Sequence, residues 1–250
     1  MRGSRKHMLD WIDDVAFPEA LAQLVAPAVT LEFSRESPHM PIGHADPREA
    51  RLENWRPATV GSPATWTELD AWWLAASRGA STPNWDFAAS ALLDGAQGLV
   101  LVEAKANVPE LSAGGVKTPP SPTAGSVAND ARIRSALAEA SAALARYAPS
   151  AALSADHGYQ LSNRVAFAWK LASMGIPTLL LYLGFTGDDD ISDVGEPLHD
   201  DDHWKALVGA YADSLGIAPL LERRLAFAAP MWTMVRSLPA TRGSALIVPH

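Results

Sequence analysis

The chain has no cysteine, which excludes disulfides and thiolate metal sites. Any metal must therefore be held by carboxylate, imidazole or carbonyl groups. The absence also fits a cytoplasmic location. There is no long apolar run. The longest, Ile176 to Phe185, falls well short of the roughly 20 residues that cross a bilayer, so no membrane partner is expected. No charged segment followed by an apolar one suggests export. Basic residues are also in deficit, with 20 Lys and Arg against 28 Asp and Glu, a formal charge of −8. Non-specific grip on nucleic acid comes from neutralising phosphates. This balance excludes a broad basic surface, although it leaves room for a local one.

What is present suits a globular protein: 250 residues, 48% hydrophobic and 19% charged. Residues 1–8, MRGSRKHM, read as a vector-derived leader, and 9–250 as a single domain. Without the leader's Arg2, Arg5 and Lys6 the formal charge would be −11. Trp11, Val15, Leu21, Leu24 and Val25 mark a helical piece broken at Pro18. His39, Met40 and His44 fall in a loop where solvated histidines are expected. A helix is predicted over 65–77, capped by Thr65 or Thr67. Another is predicted over 129–147, with Asn129 as N-cap. Its stripe is Ile133, Leu137, Leu144 and Tyr147, and it stops where Pro149 disfavours helical geometry at Ala148. Between them, 108–128 is a long Pro/Gly/Ser-rich loop. It leaves a predicted strand that bears acid and base residues, so Lys117 within it is a candidate substrate contact. The stretch 186–203 carries eight acids and reads as a solvated loop. His199 and His203 flank three of them and would be an i, i+4 ligand pair if helical. A further helix is expected from Trp204, through Leu207, Val208, Tyr211 and Leu215. After it come short apolar pieces containing Trp232, packed on the core.

The chemistry concentrates between Pro83 and Asn107, PNWDFAASALLDGAQGLVLVEAKAN. By strand parity Leu99, Leu101, Glu103 and Lys105 share one face, while Val100, Val102, Ala104 and Ala106 share the other. Both faces are apolar up to Val102, as in a central strand covered on both sides. Then one face turns charged, at a cost unless the charges are paired. Upstream, 85–93 is a second apolar run, and Asp94-Gly95 is a hairpin signal with a loop expected over 94–97. Folding back at that turn brings Asp86, eight residues before it, close to Glu103, nine residues after it. Two facing carboxylates repel, and a bound cation relieves them.

Pro83 and Asp86, then the hairpin, then Glu103-Ala104-Lys105 closing an apolar strand, resemble the PD-(D/E)XK nuclease superfamily, the restriction-endonuclease-like fold. Asn84 and Trp85 separate the Pro from the Asp, a departure from the adjacent pattern. The combination of TPNWD, LVEAKA and YQLSNR is similar to an uncharacterised bacterial branch of that superfamily. The resemblance implies an α/β fold whose mixed sheet is flanked by helices, with a core at about 65–186 and N- and C-terminal elaborations. It implies Mg²⁺ or Mn²⁺ held by Asp86, Glu103 and the Ala104 carbonyl, with Lys105 orienting the attacking water. A helix over 159–174, with the stripe Leu161, Val165, Ala168 and Ala172, carries Gln160 where a RecB-like branch has a site glutamine. Arg164 stands where that branch has a tyrosine, and is a candidate phosphate contact. Glu68 is the candidate acid from the preceding helix, and Glu53 a weaker one; Glu110 reads as a surface residue.

The expected activity is metal-dependent hydrolysis of phosphodiester bonds in nucleic acid. The alternative is a catalytically inactive nuclease-like fold that serves as an interaction or nucleic-acid-binding module, with a protein partner. A small-molecule enzyme using Lys105 as a nucleophile ranks third, because the neighbouring Glu103 keeps the amine protonated.

Overall fold

The computed structural model describes residues 2–75, 81–111, 114–116, 121–193 and 195–240. Two helices open the chain, α1 (Ser4–Asp13) and α2 (Phe17–Val25), followed by short strands β1 (Leu31–Glu32), β2 (His39–Met40) and β3 (Ala50–Arg51). Helix α3 (Pro63–Trp73) precedes β4 (Asn84–Trp85), β5 (Phe87–Leu93) and β6 (Ala96–Lys105). Helices α4 (Ala124–Leu144) and α5 (Tyr159–Ser173) then lead to β7 (Thr178–Thr186). Helix α6 (Asp201–Ser214) is followed by β8 (Arg223–Ala226) and β9 (Pro230–Pro239).

The architecture is α/β. Six strands of the main sheet lie in the order β1-β5-β6-β7-β9-β8, with β2 also on β5, while β3 and β4 form a separate pair. β6, β7 and β9 are parallel; β5 and β8 run antiparallel to their neighbours. One face, through Leu99, Leu101 and Tyr182, packs against Trp73, Leu137, Phe167 and Trp204 of α3 to α6. The other, through Val100, Val102, Leu181 and Phe185, packs against Met8, Ile12, Phe17 and Leu21 of α1 and α2. Covering on both faces is why β6 and β7 read as unbroken apolar runs.

Several boundaries differ from the sequence expectation, each for a local reason. The β5–β6 hairpin turns on two residues rather than four, because Asp94 and Gly95 both take positive φ (51° and 79°). Asp86 lies not within a strand but at the break between β4 and β5. Helix α3 starts at Pro63, where Ser62 and Thr65 form a capping box. Helix α4 is capped by Thr123, and Asn129 lies inside it, buried, accepting a hydrogen bond from Ala75 N–H at 2.9 Å. Pro18 opens α2 rather than breaking a helix. Residues 4–8 of the segment 1–8 read as a leader lie within α1, where His7 and Met8 are buried. His7 Nε2 meets Asp188 Oδ2 at 2.6 Å, so part of the acidic stretch is inside the protein rather than solvated. His39 is buried too and bonds the Ser37 carbonyl, while His44 pairs with Asp10. The tail segment around Trp232 is a full strand, β9, in register with all of β7. The main sheet therefore includes residues of the C-terminal segment beyond 186. Among the described residues, no helix is long and apolar enough to cross a membrane.

Candidate active site

Parallel strands β6 and β7 end on the same side of the sheet, at Lys105 and Thr186. In open α/β sheets such carboxyl ends are where ligands bind. β5 runs the opposite way and begins there, so Asp86 reaches the same edge.

Glu103 is the centre of the cluster and is 2% exposed. Its Oε1 accepts hydrogen bonds from Lys105 Nζ at 2.5 Å and from Gln160 Nε2 at 2.8 Å. Its Oε2 accepts from Arg164 Nε at 2.6 Å. Strand parity puts Lys105 on the Glu103 face, and the i, i+4 spacing puts Gln160 and Arg164 on one face of α5. Arg164 is fully engaged. Its Nη1 donates to Asn163 Oδ1 at 2.7 Å, its Nη2 to the Asn84 carbonyl at 2.6 Å, and its guanidinium lies 4.8 Å from the Trp85 ring centre. Burial alone would push the Glu103 carboxyl up, but Arg164 and Lys105 outweigh it and hold the group below its usual range.

Asp86 behaves oppositely. It is half-buried. Its Oδ2 accepts the Ala104 N–H at 2.8 Å, and its own N–H donates to the Val102 carbonyl at 3.1 Å. Desolvation, then the nearby charge of Glu103, pushes its carboxyl up to about 7 against the pull of Lys105 and Arg164. A strand residue directs its N–H and C=O to the same edge. The Ala104 carbonyl therefore points, like its N–H, to the β5 side of β6, just short of where β5 begins.

The donor set fits a hard divalent cation. Asp86, Glu103 and the Ala104 carbonyl offer oxygen ligands of the kind Mg²⁺ and Mn²⁺ take. Among the described residues, the buried Gln160 Oε1 and Tyr182 Oη find no hydrogen-bond partner. Each would gain from a polar ligand or water there. Tyr182 is the residue that sequence reading missed. It is the register partner of Glu103 across β6 and β7, and burial, then Glu103, pushes its phenol well above its ordinary value. The available signal was a lone hydroxyl inside the apolar strand TLLLYLGFT.

The structure thus brings together Asp86, Glu103, Ala104, Lys105, Gln160 and Arg164. It does not bring Glu68, which is exposed and pairs with Lys170 at 3.4 Å, about 9 Å along α5 from Arg164. Nor does it free Arg164 for phosphate, since all three of its nitrogens are bonded inside the protein. Glu53 accepts the Thr82 N–H at 3.2 Å and stays with its loop. Glu110 is not a plain surface residue, because its Oε2 accepts the Ala106 N–H at 2.8 Å just past the end of β6. Of the long loop, Lys117 lies outside the described residues. The Gly114 carbonyl accepts the Tyr159 N–H at the first turn of α5, one residue before Gln160. Compared with protein-family models, curated proteins and solved structures, the chain gives no match.

Proposed function

We propose that the chain is a divalent-metal-dependent nuclease of the PD-(D/E)XK type, with a restriction-endonuclease-like core. The observation that carries this reading is the convergence of Asp86, Glu103 and Lys105 at the ends of β5 and β6, with Gln160 on the same carboxylate. Asp86, Glu103 and the Ala104 carbonyl hold the cation. Bound there, Mg²⁺ or Mn²⁺ supplies a water of lowered pKa and polarises a phosphoryl oxygen. Lys105 places its ammonium where charge develops on the phosphoryl group. Arg164 and Gln160 fix the rotamer of Glu103 and do not touch the substrate. Tyr182 bounds the site from β7.

The test is cleavage of supercoiled plasmid, linear duplex, single-stranded DNA and RNA with Mg²⁺, Mn²⁺ or EDTA, alongside Glu103→Gln and Lys105→Met. The isosteric Gln is preferred to Ala because it keeps the side-chain volume and one acceptor oxygen. It still removes the charge that Arg164 and Lys105 pair with, at a cost of roughly 3–5 kcal/mol, so a thermal melt of each variant accompanies the assay. Metal-dependent cutting abolished in both variants is expected. Cutting that survives in both overturns the assignment.

One observation favours a second reading, an inactive interaction module. The Glu103 charge is already matched by Lys105, Arg164 and Gln160 without any cation. In that case neither Mg²⁺ nor Mn²⁺ gives a calorimetric signal that Asp86→Asn removes.

A further inference from the structure

Outside this site, the acidic stretch contains a group of side chains that the proposed nuclease chemistry does not use. Its acids have unequal duties. Asp188 is buried against His7. Asp200 caps α6, its Oδ1 accepting the His203 N–H at 2.8 Å. Asp201 is held by Lys205 at 2.6 Å and by Ser237 at 2.8 Å. Glu196 has no such task. It meets His199 Nε2 at 3.1 Å, and the His199 ring stacks on that of His203, with centroids 4.6 Å apart. One ligand atom from each of Glu196, His199 and His203 lies within 4.8 Å of the other two. The side chains of Glu196 and His199 are each 59% exposed, so a cation reaches them from solvent.

From this geometry we infer a second metal site, formed by Glu196, His199 and His203, that takes Zn²⁺ or a chemically similar borderline ion. Two imidazoles and one carboxylate suit Zn²⁺ with a water in the fourth position. The all-oxygen set of Asp86, Glu103 and Ala104 suits Mg²⁺ or Mn²⁺ instead. The positive end of α6 would repel a cation, but Asp200 at its N-cap and Asp201 and Asp202 in its first turn offset that charge.

The backbone of this segment is already in place. The Glu196 carbonyl accepts the Val108 N–H at 2.8 Å, the Leu198 N–H donates to the Ala106 carbonyl at 3.1 Å, and the Gly187 N–H donates to the Leu198 carbonyl at 2.7 Å. Residues 196–198 therefore form a strap tying the ends of β6 and β7 together just beyond Lys105. Zn²⁺ cross-links this strap to the first turn of α6, and stabilises the end of the sheet without entering the Asp86 and Glu103 site.

The test is calorimetric titration of the full chain with Zn²⁺ in excess Mg²⁺, together with the visible spectrum of the Co²⁺ form. One equivalent of Zn²⁺ should bind. Affinity should fall at least tenfold in His199→Ala and in His203→Ala, persist in Asp86→Asn, and be accompanied by a rise in Tm. Co²⁺ should give the visible absorption of imidazole coordination, lost in the same two variants. If Zn²⁺ does not bind, or binds equally well to both histidine variants, the inference is overturned. If it is lost in Asp86→Asn instead, the ion belongs to the oxygen site and the inference is likewise overturned. His199 is exposed just before α6 and His203 is half-buried in its first turn, and circular dichroism of the variants separates loss of ligand from loss of fold.

Discussion

Asp86 and Glu103 are neighbours with opposite proton affinities, and the difference comes from their partners. Glu103 has two cations on it, whereas Asp86 has one backbone N–H and the repulsion of Glu103. The Asp86 pKa is raised in the fold, to about 7. Its contribution therefore favours the folded state at low pH and is lost as pH rises from about 4 towards 7. Asp86→Asn keeps an acceptor for the Ala104 N–H and removes the ionisation. In the absence of metal it should stabilise the protein at pH 8 by about 1–2 kcal/mol, a figure reduced for the partial exposure of the group. At or below pH 4, where Asp86 is protonated in the folded and largely so in the unfolded chain, it should change little, and thermal melts at both values check this. An equal shift at the two pH values would mean that Asp86 does not titrate near neutrality. For the wild type, Mn²⁺ affinity should climb as pH passes through about 7, because the cation competes with that proton. These residues were legible in the sequence because strand parity and distance from the Asp94-Gly95 turn set their positions. That Arg164 spends its guanidinium on Glu103 was not, since α5 is brought onto β6 only by the tertiary fold.

At the scale of elements, the sheet leaves little room where β6 meets the approach to β7. A Cβ on Gly98 would come within 2.3 Å of the Pro177 carbonyl oxygen, a backbone atom that cannot step aside. Gly98→Ala should destabilise by about 1–3 kcal/mol, as overpacking does. Gly209 in α6 has open space around its Cβ position, so Gly209→Ala should stabilise by about 0.5–1 kcal/mol. Urea unfolding of the two variants tests the contrast in sign. The long periodic elements β6, α5 and β7 were readable from sequence, because burial on both faces or on one stripe imprints its period on the residues. β9 was not. Its pattern of Pro, Met, Trp and Thr suggested fragments, and it becomes a strand because β7 offers an edge with which all nine residues of β7 can pair. The start of α4 was misread for a similar reason. Asn129 is a good N-cap by type, but its side chain answers the Ala75 N–H, 54 residues away.

For the whole molecule, charge decides how a nucleic acid could be held. The formal charge is −8, yet beside Asn84 a cleft of about 380 Å³ is lined by Arg5, Arg48 and Arg51 together with Glu49. A duplex binding there meets few cations. The plot of log K against log salt should therefore be shallow, with a slope of about −2 to −3, each phosphate contact contributing about −0.9. Fluorescence anisotropy across a salt series measures it; a slope steeper than about −6 would require an extended basic surface. The sequence by itself determined the α/β class, the central apolar strands, the absence of thiol chemistry and the meeting of Asp86 with Glu103 and Lys105. Each of these follows from residue type, from strand parity or from distance along the chain to a turn. Only the tertiary structure decided that α5 delivers Gln160 and Arg164 to Glu103, that Tyr182 faces it from β7, and that Glu196, His199 and His203 gather on the strap. Those meetings depend on how separately formed elements pack, and local sequence does not encode the geometry of contacts between residues far apart in the chain.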